Sequence, residues 1–358
     1  PPLRAASSPA TDSRRDPTDH CPRRPPGRRG RHAGGVDTLT HEPLTSRPIE
    51  VFRRRGRFDP IDDRRVRAAV AAGAWVRIIP GVYARAEAWR ALRPHEQHRV
   101  RVLEVTHRLE TPALVSHHAA AAAWGIDTLG RWPERVDVRV PRASGGRSTG
   151  RIRRYPLGVD DVATTPFGRH RVTTPAQTAL DLARALPFVR GVAALDQAIW
   201  TERPGGALTD LAEIEHLRAA QPSPRGDARA SRVLAFASTG AANVRESQMR
   251  VLVVELGFGL PTVQERRVLP SGRVAFGDLY FPDADHWVEI DGRGKYLSPE
   301  YTGGLDAAQI VLDEKARENE IRRIVRGFSR LDALDAEHPR RVFDILTGDG
   351  LRSILPRP

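Results

Sequence analysis

Four carboxylates near the C-terminal end of the chain could hold a metal ion. Asp278 lies in the segment VAFGDLYFP, Glu289 and Asp291 lie in HWVEIDG, and Glu246 opens the segment ESQMRVLVVELGF. Strand alternation puts Glu289 and Asp291 on one face of a strand whose other face is apolar. Buried acids are costly unless they are paired or bound to a cation. Because oxygen ligands suit Mg²⁺ or Mn²⁺, we expect Asp278, Glu289 and Glu246 to converge on such an ion.

Lysine is concentrated beside these carboxylates. Lysine and arginine together number 57, yet only Lys295 and Lys315 are lysines. Arginine does not replace lysine as a compact point charge or as a proton donor with an adjustable pKa. In a phosphodiesterase-type site the metal polarises the phosphate and activates water, while an ammonium group stabilises developing charge or holds the nucleophile. The predicted catalytic set is therefore Asp278, Glu289, Asp291, Lys295, Glu246 and Lys315.

A second interpretation of the same residues stays open. The acids could be exposed edge-strand carboxylates that pair with arginine, and the two lysines could survive by chance in an arginine-rich composition. Two histidines elsewhere, His117 and His118, stand at the start of an alanine-rich helix, a place where histidine is usually structural or exposed.

The charge of the chain predicts a polyanionic partner. The formal net charge is +13 and the isoelectric point is about 11.0, which favours nucleic acid as the partner. Residues 246–331 hold 12 basic and 14 acidic side chains, a net charge of −2, so the positive charge lies upstream. We therefore expect DNA affinity to reside in residues 47–160.

Composition also bounds the compartment. No apolar run approaches the roughly 18 residues of a membrane-spanning helix, and the beginning of the sequence lacks the apolar segment of a secretory signal. Cys21 is the only cysteine, so the chain has no disulfide framework and no cysteine-based zinc site. These features predict a cytoplasmic protein without a membrane partner, and they leave its oligomeric state open.

The pattern along the chain predicts four regions. Residues 1–46, rich in proline, arginine, serine and glycine, are expected to form a disordered basic tail. Residues 47–85 are expected to form a winged-helix-like unit, residues 86–240 a middle α/β domain, and residues 241–358 a C-terminal domain. The predicted fold class is therefore α/β.

The winged-helix prediction follows from the order of elements in residues 47–85. Pro48 to Arg55 are expected to form a short helix, Asp63 to Ala72 a second one, and WVRII and VYAR a β-hairpin around Pro80-Gly81. Such a helix would enter a DNA groove and the hairpin would contact the backbone. Any other small α/β unit is the alternative. The arginines predicted to contact DNA, here and on the strand GRIRRYPL, are Arg64, Arg65, Arg67, Arg77, Arg151 and Arg153.

Two more helical regions complete the expectation for the middle domain and the C-terminal domain. Residues 86–110 are expected to form one amphipathic helix. Residues 246–331 are expected to have the order helix–strand–strand–strand–helix–strand.

The C-terminal motifs resemble a known nuclease family. Asp278 followed by Glu289-Ile290-Asp291-Gly292, with VEIDGRGKY and EKARENEIRR, is similar to the very-short-patch-repair-like branch of the PD-(D/E)XK nucleases. The resemblance covers about 246–331 and implies a restriction-endonuclease-like αβββαβ core. It implies Asp278 and Glu289 as metal ligands with Glu246 and Asp291 in support. It also implies Lys295 as a displaced catalytic lysine, and Glu314 and Lys315 as residues that face the site or fasten the helix.

The upstream motifs resemble a different family. GVYAR, VSHHAAAAAWGI, VDVRVP, GRIRRYPL and VTTPAQTALDLA, within about 50–200, are similar to type IV antitoxins of the AbiEi class. That resemblance implies an N-terminal winged helix, DNA as a partner, repression of transcription, and a cognate toxin. Two functions therefore stand side by side. One is a DNA endonuclease that depends on Mg²⁺ or Mn²⁺, and the alternative is a non-catalytic DNA-binding antitoxin or repressor.

Overall fold

Three β-sheets and eleven α-helices make up the described part of the chain, which is a mixed α/β protein as predicted. The computed structural model describes residues 41–54, 60–221, 225–291 and 307–358, without the side chains of 60–63 and 307–311. Most of the predicted disordered tail and Lys295 lie outside these residues. Among them, no helix is long and apolar enough to cross a membrane.

The first sheet contains three antiparallel strands in the order β1-β3-β2. Its elements are β1 (Phe52–Arg53), α1 (Pro60–Ala71), β2 (Trp75–Ile79) and β3 (Val82–Arg85). The predicted hairpin is therefore confirmed. The helix predicted for Pro48 to Arg55 is wrong, because this segment pairs with β3 and Phe52 packs edge-on against Trp75, with ring centroids 5.4 Å apart. Winged-helix identity stays a prediction.

A proline divides the next helical region in two. Helix α2 (Ala86–Ala91) and helix α3 (Pro94–Thr106) replace the single helix predicted for 86–110. Pro94 disfavours helical dihedral angles at the residue before it, and Arg93 has the extended ψ of 155°. Pro94 itself occupies the first helical position, where the missing N–H costs nothing.

The second sheet has five strands in the order β6-β5-β4-β8-β7. β4 pairs antiparallel with β5 and parallel with β8, and β5 pairs parallel with β6. Its elements are β4 (Leu114–Val115), α4 (His117–Trp124), β5 (Val136–Arg139), β6 (Ile152–Tyr155), β7 (Thr164–Phe167), β8 (His170–Thr173), α5 (Pro175–Ala185), α6 (Phe188–Ile199), α7 (Leu211–Ala220) and α8 (Asp227–Phe236).

The third sheet has four strands in the order β12-β11-β10-β9, with β11 and β12 parallel. The predicted order helix–strand–strand–strand–helix–strand is what the structure has, although a restriction-endonuclease identity stays a prediction. The elements are α9 (Val244–Glu255), β9 (Thr262–Val268), β10 (Val274–Phe281), β11 (His286–Asp291), α10 (Ala307–Ile324), β12 (Gly327–Asp332) and α11 (Pro339–Gly348).

Helix α9 belongs to two hydrophobic cores at once. Val251 packs into the core around the second sheet, whereas Met249 and Val253 pack into the core on one face of the third sheet. The chain from His41 to Pro358 forms one compact unit. The predicted domain boundaries at 85/86 and 240/241 fall inside this unit, and the second lies just before the shared helix.

A buried ion pair joins α9 to α6. The Arg250 guanidinium lies 2.9 Å from the carboxylate of Asp196, which also accepts hydrogen bonds from the Ser247 hydroxyl and the Ser238 backbone N–H. Asp196 is fully buried, and this burial raises its pKa even though Arg250 opposes the effect. Both partners are therefore needed together, since an isolated buried charge is expensive.

We expect Arg250→Met to lower the free energy of unfolding by about 3–5 kcal/mol, because it leaves Asp196 charged and buried without its partner. Urea unfolding of the full chain measures this. The matched control is Arg245→Met, on the same helix, whose partner Glu337 is exposed, and it should cost about 1 kcal/mol or less. Equal losses in the two variants would contradict a buried ion pair.

Candidate functional site

The alternation of side chains along β11 is the one that the sequence predicts. Val288 and Ile290 pack into the core that contains α9, whereas Trp287 packs with Ile321 of α10 on the other face. Glu289 lies on the α10 side, where its carboxylate is buried. Strand β11 therefore presents Glu289 toward α10.

Both oxygens of Glu289 are engaged by donors. Arg317 of α10 lies 2.9 Å from Oε1 and donates to Oε2 at 3.0 Å, and Arg330 of β12 donates to Oε2 at 3.1 Å. The indole N–H of Trp287 points to Oε1 at 3.4 Å. Glu289 thus pairs with arginine, as the second interpretation expected, but it is buried on an inner strand rather than exposed at an edge of the sheet.

Asp278 has a different environment, at an interruption in the sheet. Regular pairing of β9 with β10 skips from Gly277 to Leu279. One carboxylate oxygen of Asp278 accepts the backbone N–H of Ile290 at 2.7 Å, and the other accepts the side-chain amide of Gln264 at 3.3 Å. Gln264 has φ of +53°, an uncommon backbone conformation for a residue with a side chain.

The same amide brings Glu246 into this group. Gln264 Nε2 lies 3.4 Å from Oε2 of Glu246, and that oxygen also accepts the backbone N–H of Ala242 at 2.8 Å. Glu246 stands in the first turn of α9, where a negative charge stabilises the helix dipole. Gln264 therefore links Asp278 to Glu246, while Glu289 contacts arginines.

The predicted metal site is not assembled from the described residues. Within the ranges that the structure describes, no group of three or more histidine, cysteine, aspartate or glutamate side chains could hold a metal ion. The third predicted ligand, Glu289, already has both oxygens facing cationic donors. As arranged, the described carboxylates therefore do not form a site for Mg²⁺ or Mn²⁺, and binding of either ion to this protein stays a prediction.

The remaining members of the predicted catalytic set do not share one environment. Asp291 lies 3.1 Å from Arg330. Lys315 is exposed on α10, whereas its neighbours Glu314 and Arg317 are partly buried and bonded to each other. Lys295 lies outside the described residues, and its catalytic role stays a prediction.

The six arginines predicted to contact DNA fall into two groups. Arg151 and Arg153 of the sheet edge are half-buried, and Arg153 lies 3.5 Å from the buried carboxylate of Asp137. Arg153 therefore has a structural partner inside the protein. The other four are exposed on α1 and β2: Arg64, Arg65, Arg67 and Arg77.

A buried polar cluster beside the second sheet was not among the sites predicted from the sequence. His117 and His118 are both buried rather than exposed. The His117 ring stacks on Tyr155 with centroids 3.7 Å apart, and its Nδ1 lies 3.0 Å from the Ser116 hydroxyl. His117 has φ of +49°, and such backbone strain persists only where the surroundings hold it. The adjacent pair of histidines before an alanine run was the signal available in the sequence.

Asp137 of β5 organises the neighbouring part of this cluster. Its Oδ2 accepts the backbone N–H of His118 at 3.2 Å and lies 3.3 Å from His118 Nδ1. Burial acts to raise the pKa of Asp137, but the hydrogen bond from His118 and the charge of Arg153 act against it, and the pKa is held below its usual value. Asp137 is therefore an ionised anchor beneath α4.

A third histidine, His98 of α3, completes the cluster. It is fully buried, and its ring lies 5.2 Å from that of Trp132. Burial lowers the pKa of His98 to about 3, against the opposing attraction of Asp137. The neutral imidazole is thus the form that the fold accepts.

Comparison with known proteins matches the part of the chain that contains His117, His118 and Asp137 to a known domain. The family model of the AbiEi antitoxin C-terminal domain matches residues 113–236, which run from one residue before β4 to the last residue of α8. The predicted resemblance to AbiEi-class antitoxins is confirmed for this part of the chain. The resemblance of residues 246–331 to nucleases stays a prediction.

Two curated proteins are similar to part of the chain. The uncharacterized proteins MT2308 and Rv2248, from two strains of Mycobacterium tuberculosis, are each 36% identical to it over 111 residues. This alignment covers 31% of the chain and 39% of each relative. The chain therefore spans less than half the length of the relatives it matches.

The depressed pKa of His98 predicts an acid-sensitive fold. An unfolded histidine gains a proton near its ordinary pKa of 6.5, whereas folded His98 stays neutral down to about 3. Its neutral form therefore contributes stability above pH 6.5 that is lost as pH falls toward 3. We expect His98→Leu to remove this loss, up to about 1.4 kcal/mol per pH unit. Urea unfolding at about pH 7, 6 and 5 measures it.

The control is His107→Leu, which removes an exposed histidine just after the same helix. It should keep the pH dependence of the unchanged protein. Parallel pH profiles for His98→Leu and the unchanged protein would show that His98 does not carry the acid sensitivity.

Proposed function

We propose that this protein is a DNA-binding, antitoxin-like regulator rather than an enzyme. The observation that carries the proposal is the match of residues 113–236 to the AbiEi antitoxin C-terminal domain, a stretch that forms one sheet with its covering helices. The buried histidine cluster fits this proposal, because these side chains are closed off from any substrate and serve the packing of the domain.

A basic loop on this domain supports DNA as the partner. Residues 141–158, between β5 and the region after β6, contain five arginines and no acidic residue. Arg142, Arg147 and Arg154 are exposed, and Gly145 and Gly150 have positive φ values of 65° and 55°, which leave backbone groups near the surface. Such a loop suits contact with phosphates, which position a protein on DNA without reading its sequence.

A second basic surface lies on the unit that precedes the matched domain. Arg64 and Arg65 are exposed on α1, and Arg77 is exposed on β2 of the adjoining hairpin. A helix and a hairpin that both carry exposed arginines can contact a groove and the flanking backbone. In this proposal, α1 and the hairpin supply the remaining contacts with DNA. By analogy with the AbiEi class, a cognate toxin is the proposed protein partner.

Binding to DNA is tested by fluorescence anisotropy with two labelled duplexes, one from the region upstream of the protein's own gene and one of scrambled sequence. We expect the combined changes Arg142→Gln, Arg147→Gln and Arg154→Gln to weaken binding to both duplexes alike. The slope of log K against log salt should become shallower by about 2–3, since each lost phosphate contact removes about 0.9.

The same test applies to Arg64→Gln, Arg65→Gln and Arg77→Gln, which should also lower any preference for the upstream duplex. The matched control changes the same number of exposed arginines in the C-terminal unit: Arg323→Gln, Arg326→Gln and Arg352→Gln. If the control variant weakens binding as much as the variants of the two basic surfaces do, these surfaces are not the DNA-binding sites. If the unchanged protein binds neither duplex, the proposed function fails.

A metal-dependent DNA nuclease is the second candidate function. The observation in its favour is the interruption at Asp278, where Gln264 also reaches Glu246.

Incubation of supercoiled plasmid with the full chain and Mg²⁺, Mn²⁺ or EDTA tests this candidate. A nuclease would nick the plasmid only with metal, and Asp278→Asn would abolish nicking. Lys295→Arg would lower the rate by about 10²-fold or more with binding retained. Plasmid that stays supercoiled with either metal removes this candidate.

A further inference from the structure

Four carboxylates surround a single guanidinium between β11, β12 and α10. Arg330 lies 3.1 Å from Glu289, 3.1 Å from Asp291, 3.0 Å from Glu314 and 3.1 Å from Glu318. Two of these acids come from β11 and two from α10, so one side chain of β12 connects three elements. We name this set of four acids, together with Arg317 and Arg330, the guanidinium clamp.

Arg317 strengthens the same arrangement from the helix side. Its guanidinium contacts Glu289 of β11 at 2.9 Å and Glu314, one turn earlier on its own helix, at 2.9 Å. The hydrogen bond from Arg317 holds the pKa of Glu314 below its usual value, with the charges of Arg317 and Arg330 acting in the same direction. The carboxylates of the clamp are therefore paired with cations from within the protein.

The position of the guanidinium groups conflicts with a metal ion on Glu289. A divalent cation coordinates carboxylate oxygens at about 2.1 Å and repels nearby positive charge. Arg317 and Arg330 direct N–H groups at Glu289, and Trp287 directs its indole N–H at the same carboxylate. Each of these donors would have to turn away before a cation could bind.

We propose that the guanidinium clamp occupies the position at which the sequence predicts a metal ion. Glu289 then stabilises the packing of α10 against β11 and β12 instead of binding a divalent cation. In this proposal, the run EKARE, residues 314–318, has a structural role. Glu314, Arg317 and Glu318 supply the helix side of the clamp, and exposed Lys315 stands outside it. The proposal concerns the C-terminal unit and does not depend on DNA binding.

Thermal unfolding of the full chain, followed by circular dichroism, tests the clamp. Each protein is unfolded with EDTA, with millimolar Mg²⁺ and with millimolar Mn²⁺ at matched ionic strength. We expect the midpoint of the unchanged protein to stay within about 1 °C across these conditions. Glu289→Gln and Arg330→Met should each lower the midpoint by roughly 3–6 °C, as expected for loss of one partner in a partly buried network.

The double variant Glu289→Gln/Arg330→Met should lose clearly less than the sum of the two single variants, since both remove the same contact. Arg323→Met is the matched control, because it removes an exposed arginine from α10, outside the clamp. It should shift the midpoint by about 1 °C or less.

Two results would overturn the proposal. One is a midpoint of the unchanged protein that rises by several degrees with Mg²⁺ or Mn²⁺ while that of Glu289→Gln does not, which would identify Glu289 as a metal ligand. The other is a loss in Glu289→Gln and Arg330→Met no larger than in Arg323→Met. Should Arg330→Met fail to fold, Glu289→Gln and the metal titration of the unchanged protein still decide the question.

Discussion

Helix α9 is the element on which the arrangement of this protein depends. Its Val251 completes the core around the five-stranded sheet, and its Met249 and Val253 complete the core of the four-stranded sheet. Between these apolar contacts, Arg250 pairs with fully buried Asp196 of α6. A buried charge tolerates only one geometry for its partner, so α9 also sets where its first turn, with Glu246, meets β9 and β10.

Charge is divided between the two parts that α9 joins. In the part of the chain before α9, residues 141–158 contain five arginines and no acid, and α1 and β2 carry further exposed arginines. On the C-terminal part, acids and arginines compensate each other at close range, as in the contacts of Arg330. Long-range attraction for a polyanion therefore arises from the first part, which agrees with a DNA-binding role.

Buried polar groups have opposite consequences in the two parts. In the matched domain, Asp137 binds the start of α4, and on the preceding helix α3 His98 is held neutral beside Trp132, so acid disfavours the fold. In the C-terminal unit, Glu289 is paired with Arg317 and Arg330. In both places, a residue type with catalytic potential is used to fix the position of a helix against a sheet.

Local pattern alone determined much of the fold. Short-range alternation and helical spacing were enough to predict the β2–β3 hairpin, the element order of residues 246–331, and the two faces of β11. The helix predicted for Pro48 to Arg55 failed because pairing with β3 outweighs local preference in a short segment. The strands β4, β7 and β8 are two to four residues long, too short for a periodic signal.

The sequence by itself determined which side chains carry the chemistry, namely the acids on β10 and β11 and the histidine pair at α4. Only the tertiary structure decided what those side chains do. Glu289 could have faced a metal ion or an arginine, and the choice depends on α10 and β12, whose arginines lie 28 and 41 positions later, respectively. Partners at such separation are set by packing, because the local sequence does not specify which distant charge a folded chain brings within 3 Å.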